Sequence, residues 1–238
     1  MEHTLQFLKP LPATEAPYYP ESDGKPMGET DFHITAMMYL LSALRYFFKN
    51  LTDVYVASDM LMYYEEGNTS VFVVPDVFVV KGVDKRTRRV YKVWEEKTAP
   101  TVIFEITSRG TRLEDLATKR GLYEILGVQE YFLFDPLDEY LSPRLRGFRL
   151  KDNAYQHLTL DSAGNLHSEA LDVILHPDVK LLRVIDPTTN KVVPTLDEAM
   201  AMAEEEAERA QAEAERANNA EAELARLREE IKRLRGME

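Results

Sequence analysis

Two carboxylates stand where charge is costly. Asp76 is the only charge in the apolar run VFVVPDVFVV, and Glu105 is the only charge in TVIFEIT. Runs apolar at both odd and even positions read as strands covered on both faces. An unpaired carboxylate there is expensive. A salt bridge would explain either acid alone. Two such acids in two sheet strands suggest a shared cation, and all-oxygen ligation suits Mg²⁺ or Mn²⁺. Pro75 implies an edge or bulge that would aim Asp76.

A third charge belongs with them. The stretch after Glu105, SRGTRLEDLATKRGLYEILGV, reads as a helix. Thr111 and Glu114 have the spacing of a capping box, and Gly127 is a suitable C-terminal stop. With Asp115 set at zero and about 100° per residue, Leu122 falls near −20°, Leu126 near +20°, Lys119 near +40° and Tyr123 near +80°. Asp115 and Lys119 therefore lie inside the apolar stripe. Lys119 must either snorkel out or find a carboxylate. An intrahelical Asp115–Lys119 pair is the plainer alternative. Two acids, a lysine and a divalent cation suit phosphodiester cleavage: the metal acidifies a bound water, and the lysine orients that water or stabilises charge growing on phosphorus-bound oxygen.

The elements that must position these residues are legible in outline. GETDFHITAMMYLLSALRYFFKN has helical apolar spacing. Strand-like text follows in DVYVASDMLMYY, VFVVPDVFVV, TVIFEITS and EYFLFDP. Residues 147–185 read as short strands with turns at Asp152-Asn153 and Gly164-Asn165. The order predicts an α/β domain with a mixed central sheet flanked by helices over residues 29–196. Residues 1–28 read as an irregular lead-in. Between the Asp76 and Glu105 runs, KGVDKRTRRVYKVWEEKTAP reads as a polar loop. Its Lys85, Arg86, Arg88 and Arg89 are candidates for DNA phosphate contact, although such charge runs also occur as solvated surface. His33, His157, His167 and His176 lack metal-ligand spacing and are read as structural.

Residues 197–235 are rich in Ala, Glu and Arg and hold no Gly or Pro, which favours helix. Leu224, Leu227, Ile231 and Leu234 step by 3, 4 and 3, a short coiled-coil seam. The expectation is a helical coiled-coil tail over residues 197–238 that assembles copies of the chain.

The net charge is −12, shared as −6 in residues 197–238 (7 basic, 13 acidic) and −6 in the remainder (22 basic, 28 acidic). This argues against a protein that simply coats nucleic acid. The absence of cysteine excludes disulfides and thiolate metal sites and fits a cytoplasmic setting. The N-terminus does not read as a signal peptide, and no apolar run approaches the ~20 residues of a membrane span.

The order Pro75-Asp76, Glu105-Ile106-Thr107-Ser108, Asp115 to Tyr123, and Gly127 to Pro136 resembles the Uma-two family of endonucleases within the PD-(D/E)xK superfamily. LRGFRLKDNAYQHL and the Ala/Glu/Arg tail are similar to it as well. The resemblance implies a restriction-endonuclease-like fold, DNA as substrate, and Mg²⁺ held by Asp76, Glu105 and the backbone carbonyl of Ile106. The superfamily's lysine normally lies two residues after the glutamate. Here that position is Thr107, and Lys119 is the natural replacement. The resemblance also makes Glu29, at the start of the first helix, an accessory candidate beside Asp115. The competing expectation is a nuclease fold that no longer cuts and serves as an interaction module assembled through its tail.

Overall fold

The computed structural model describes residues 17–24 and 29–235. Of the lead-in expected over residues 1–28, only 17–24 are described, and they form neither helix nor strand. The chain divides into two units, Met1–Val193 and Pro194–Glu238.

The first unit opens with helix α1 (Asp31–Phe47), followed by strands β1 (Val54–Ser58), β2 (Met62–Tyr63), β3 (Phe72–Val73), β4 (Val77–Lys81) and β5 (Tyr91–Lys92). A single turn, α2 (Val93–Glu96), leads to β6 (Val102–Ile106). A π-helical turn over Glu114–Lys119 runs into α3 (Arg120–Ile125) and then β7 (Glu130–Phe134). Six strands complete the unit: β8 (Leu145–Lys151), β9 (Ala154–His157), β10 (Leu166–Ser168), β11 (Val173–Asp178), β12 (Leu181–Asp186) and β13 (Lys191–Val192).

The central sheet has the order β1-β4-β6-β7-β8-β9. Only β6 and β7 run parallel, and every other neighbouring pair is antiparallel. A parallel neighbour needs a long crossover, and the segment carrying the π turn and α3 supplies it. The mixed α/β sheet expected from the sequence is present. A four-stranded antiparallel sheet, β10-β11-β12-β13, and a small β3-β2-β5 sheet accompany it.

Alternation along the strands sends successive side chains to opposite faces. Val102, Phe104 and Ile106 join a core with Leu40 and Leu44 of α1 and Val184 of the four-stranded sheet. Ile103 instead joins Tyr123, Val128, Tyr131 and Leu133. Glu105 shares the parity of Ile103, so β6 turns its one charge toward the crossover helix. Helix α1 buries His33, Ala36, Leu40, Ala43 and Leu44, an amphipathic stripe. Its N-cap Thr30 accepts from the His33 N–H at 3.3 Å.

Three local expectations change. The run VFVVPDVFVV is not one strand: β3 and β4 belong to different sheets, with Pro75 and Asp76 between them. Proline lacks the N–H that a continuous ladder needs. The Asp59 N–H accordingly donates to the carbonyls of Pro75 and Asp76, at 3.1 and 3.2 Å. The polar stretch after β4 is not all loop, because it holds β5 and α2. Tyr91 anchors it, buried edge-on against Phe78 at 5.5 Å, with its hydroxyl donating to the Thr98 carbonyl at 2.8 Å. The Thr111 hydroxyl accepts from the Ser108 N–H at 3.1 Å, where a capping box would direct it to Glu114. Gly127 does end the helix, at φ 78°. The Asp152-Asn153 turn joins β8 to β9 with both residues at positive φ, 52° and 63°, as a type I′ hairpin requires.

The second unit is helix α4 (Leu196–Arg235), which buries none of its residues. Residues 236–238 of the expected tail lie outside the described residues. Thr195 and Glu198 form a reciprocal capping box at its start, with N···O distances of 2.7 and 3.2 Å. No helix among the described residues is long and apolar enough to cross a membrane.

Candidate active site

The central sheet brings Asp76, Glu105, Ile106, Asp115 and Lys119 together. Asp76 precedes β4, Glu105 and Ile106 end β6, and the π turn carries Asp115 and Lys119. The Ile106 N–H donates to Asp76 Oδ2 at 2.6 Å, and the Asp76 N–H points back to Glu105 Oε2 at 3.4 Å. Lys119 Nζ lies 2.9 Å from Glu105 Oε2 and 3.1 Å from Asp115 Oδ1. A π turn bonds i to i+5 and is wider than an α turn. The turn carries Asp115 and Lys119 side by side, as the helical spacing expected, with Lys119 reaching Glu105.

Glu105 is fixed on both oxygens. Its Oε1 accepts from the buried Tyr123 hydroxyl at 2.7 Å, and Oε2 receives Lys119. Burial pushes its carboxyl well above the usual carboxylate range; the Lys119 charge opposes this, and Asp76 and Asp115 add to it. Asp115 is buried too, and neither of its oxygens receives a well-aligned hydrogen bond. Burial raises its pKa against the pull of Lys119. Burial works against the Lys119 charge, but Glu105, Asp115 and Asp76 outweigh it and hold the ammonium above its ordinary pKa. In this arrangement Lys119 is a hydrogen-bond donor to Glu105.

Asp76 differs from the expectation of a doubly covered strand residue. Its side chain is 19% exposed, which leaves it open to a ligand. It has a partner that its sequence context does not reveal: His33 Nε2 lies 3.3 Å from Asp76 Oδ1. His33 is buried in α1, and its other nitrogen is 3.5 Å from Glu29 Oε2. Burial disfavours its charged form, but the hydrogen bond to Asp76 and the charges of Asp76, Glu29 and Asp115 raise its pKa overall. The Glu29 carboxylate is half exposed and reaches the cluster through this histidine. The signal for His33 was its place in the apolar stripe of α1, the same kind of signal that singles out Lys119. Thr107, at the superfamily's lysine position, is buried with its hydroxyl unpartnered.

The loop cations stand elsewhere in the hydrogen-bond network. Lys85 Nζ donates to the carbonyls of Phe48 and Lys49, at 2.7 and 3.2 Å. Arg86 and Arg88 share Glu96, at 2.7 and 2.8 Å, and Arg88 is buried. Arg89 Nε is 2.6 Å from Glu21 Oε1. Any phosphate would compete with these partners.

The donor set suits a hard cation. The carboxylates of Asp76 and Asp115 gather around Glu105, and Lys119 is the cation that bridges Glu105 and Asp115. Among the described residues, no three His, Asp or Glu side chains form a ready-made metal cage. Mg²⁺ does not need one, because it keeps several waters and uses one or two carboxylates.

The family model Uma2, described as "Putative restriction endonuclease", matches residues 9–176, and the chain belongs to that family. Among solved structures, a crystal structure described as a "putative nuclease" from Anabaena variabilis is similar over 68% of this chain and 86% of that chain, at 17% identity and a TM-score of 0.45. No curated protein matches the sequence.

Proposed function

We propose that this protein is a metal-dependent endonuclease that hydrolyses DNA phosphodiester bonds. The observation that carries the reading is the convergence of Asp76, Glu105 and Lys119, from the link before β4, from β6 and from the π turn, within one hydrogen-bonded cluster. Asp76, Glu105 and the Ile106 carbonyl would hold Mg²⁺ or Mn²⁺. When bound, that ion polarises the scissile phosphate and lowers the pKa of a water nucleophile.

The chain's own residues supply the rest. The Ile106 N–H and His33 fix the Asp76 carboxylate. Tyr123 fixes the rotamer of Glu105. Lys119, held as an ammonium between two acids, donates to negative charge that grows on the phosphoryl oxygens or orients the attacking water. The exposed guanidiniums of Arg86 and Arg89 are the candidates for DNA phosphates, exchanging Glu96 and Glu21 for the substrate. The reading also includes association of copies through α4, supported by its exposed leucines.

The test is cleavage of plasmid and single-stranded DNA in Mg²⁺ or Mn²⁺ by the wild type, Asp76→Ala and Lys119→Met, with folding checked by circular dichroism. Loss of the lysine is expected to slow cleavage by about 10²–10³-fold, the usual cost of one transition-state donor. Asp76→Ala is expected to abolish metal-stimulated cleavage. Cleavage unchanged in Lys119→Met would remove the lysine from the mechanism. A folded wild type that neither cuts nor binds metal would leave the interaction-module reading in its place.

A further inference from the structure

The last two turns and more of α4 carry apolar side chains with nothing packed on them. Leu224, Leu227, Ile231 and Leu234 are each about half exposed, at 53, 47, 52 and 58%. With Leu224 at heptad position a, the a positions are Ala217, Leu224 and Ile231, and the d positions are Ala220, Leu227 and Leu234. The last heptad, with β-branched Ile231 at a and Leu234 at d, has the pairing that favours two parallel strands.

The flanking charges give direction and register. The g positions are Arg216, Glu223 and Glu230, and the e positions are Glu221, Arg228 and Arg235. In a parallel, in-register pair, each g residue faces the e residue five positions further along the other chain. The three resulting pairs are Arg216 with Glu221, Glu223 with Arg228, and Glu230 with Arg235. All are opposite in sign, and symmetry makes each occur twice. In an antiparallel pair, g faces g. In the same arrangement e faces e, so full overlap of the apolar positions sets Glu223 against Glu230, which is repulsive, and Glu221 against Arg228, which is attractive; every flanking pair is opposite in sign only in the parallel register.

We infer that α4 binds α4 of a second copy of this chain as a parallel, in-register, two-stranded coiled coil over residues 216–235. This deepens the association stated above and is independent of the nuclease chemistry. Parallel strands place both first units at the same end of the coil, so one assembly carries two copies of the Asp76–Glu105–Lys119 cluster.

The chain has no cysteine, which makes the test direct. Sedimentation equilibrium of the full chain is expected to give twice the monomer mass. Ala217→Cys and Ile231→Cys, each made singly, are both expected to oxidise to disulfide-linked dimers, because facing a positions come within disulfide reach. In the antiparallel alternative, the two copies of Cys at either position would be separated by roughly 16–25 Å along the axis, and neither variant would cross-link. Arg228→Glu should weaken the dimer by about tenfold, since it turns two attractive pairs repulsive. Adding Glu223→Arg should restore it. A monomeric or trimeric wild type overturns the proposal. So does a dimer that forms with neither cross-link, or one that survives Leu227→Asp with Ile231→Asp. None of these readouts depends on DNA cleavage, so failure here and failure of the nuclease reading are separate results.

Discussion

His33 is the residue whose contacts the sequence hides and the structure exposes. It reaches Asp76 at 3.3 Å and Glu29 at 3.5 Å from inside the packed stripe of α1. A group that holds a metal ligand without touching the metal tunes affinity by orientation. His33→Ala is therefore expected to raise the Mg²⁺ concentration needed for half-maximal cleavage by about 10–100-fold. His33→Gln, which keeps a donor of similar reach, is expected to recover most of that loss. A metal titration of both variants checks this, and equal loss in both would indicate a packing role only. The same signal, a polar residue inside an apolar pattern, marked Asp76, Glu105, Asp115 and Lys119. At His33 the same signal is present but does not decide, because histidine is often buried in satisfied core positions, and only its contact with Asp76 separates the two cases.

At the scale of elements, continuity of apolar text was a good guide where one strand or helix ran unbroken. Helix α1, β6 and β7 follow it, and so does the β8–β9 hairpin, whose Asp152-Asn153 turn is written in its own backbone preference. The text failed where tertiary pairing decided the outcome. Whether VFVVPDVFVV is one strand or two depends on Asp59 capturing the carbonyls beside Pro75, a contact no local pattern encodes. The π turn at Glu114–Lys119 was likewise illegible, since apolar spacing does not distinguish it from an α turn. Gly147 is a further case. It sits in β8, opposite Phe132 of β7, and a Cβ there would lie 2.7 Å from Leu166 and 2.9 Å from the Phe132 ring. The missing side chain lets β10 close over the central sheet. Gly147→Ala is expected to cost about 1–3 kcal/mol by overpacking. At this size each kcal/mol lowers Tm by roughly 2–4 °C, so a melt by circular dichroism would show it. An unchanged Tm would mean that Leu166 turns away and the contact carries no constraint.

At the scale of the molecule, the proposed nuclease cluster and the proposed α4 pair would solve different parts of one problem. Severing duplex DNA takes two hydrolyses, one on each strand, and each chain holds one Asp76–Glu105–Lys119 cluster. The chain is also acidic, with a net charge of −12, so its overall field does not draw it to DNA. A lone unit that made one cut would tend to leave before making a second. Two units tied by a parallel α4 pair would remain together, and the second cut would then proceed at a high effective concentration. The expected consequence lies in product ratio, with chemistry at each cluster unchanged. Wild type should convert supercoiled plasmid to linear product with little nicked circle along the way. A full-length Leu227→Glu, Ile231→Glu variant should be monomeric and should cut single-stranded DNA at the wild-type rate per chain, but it should accumulate nicked circle first. Gel quantitation over time at protein concentrations below that of the plasmid separates the two patterns. If the variant is monomeric and the ratio of nicked to linear product does not change, the two clusters act independently, and the tail serves assembly without serving the cut.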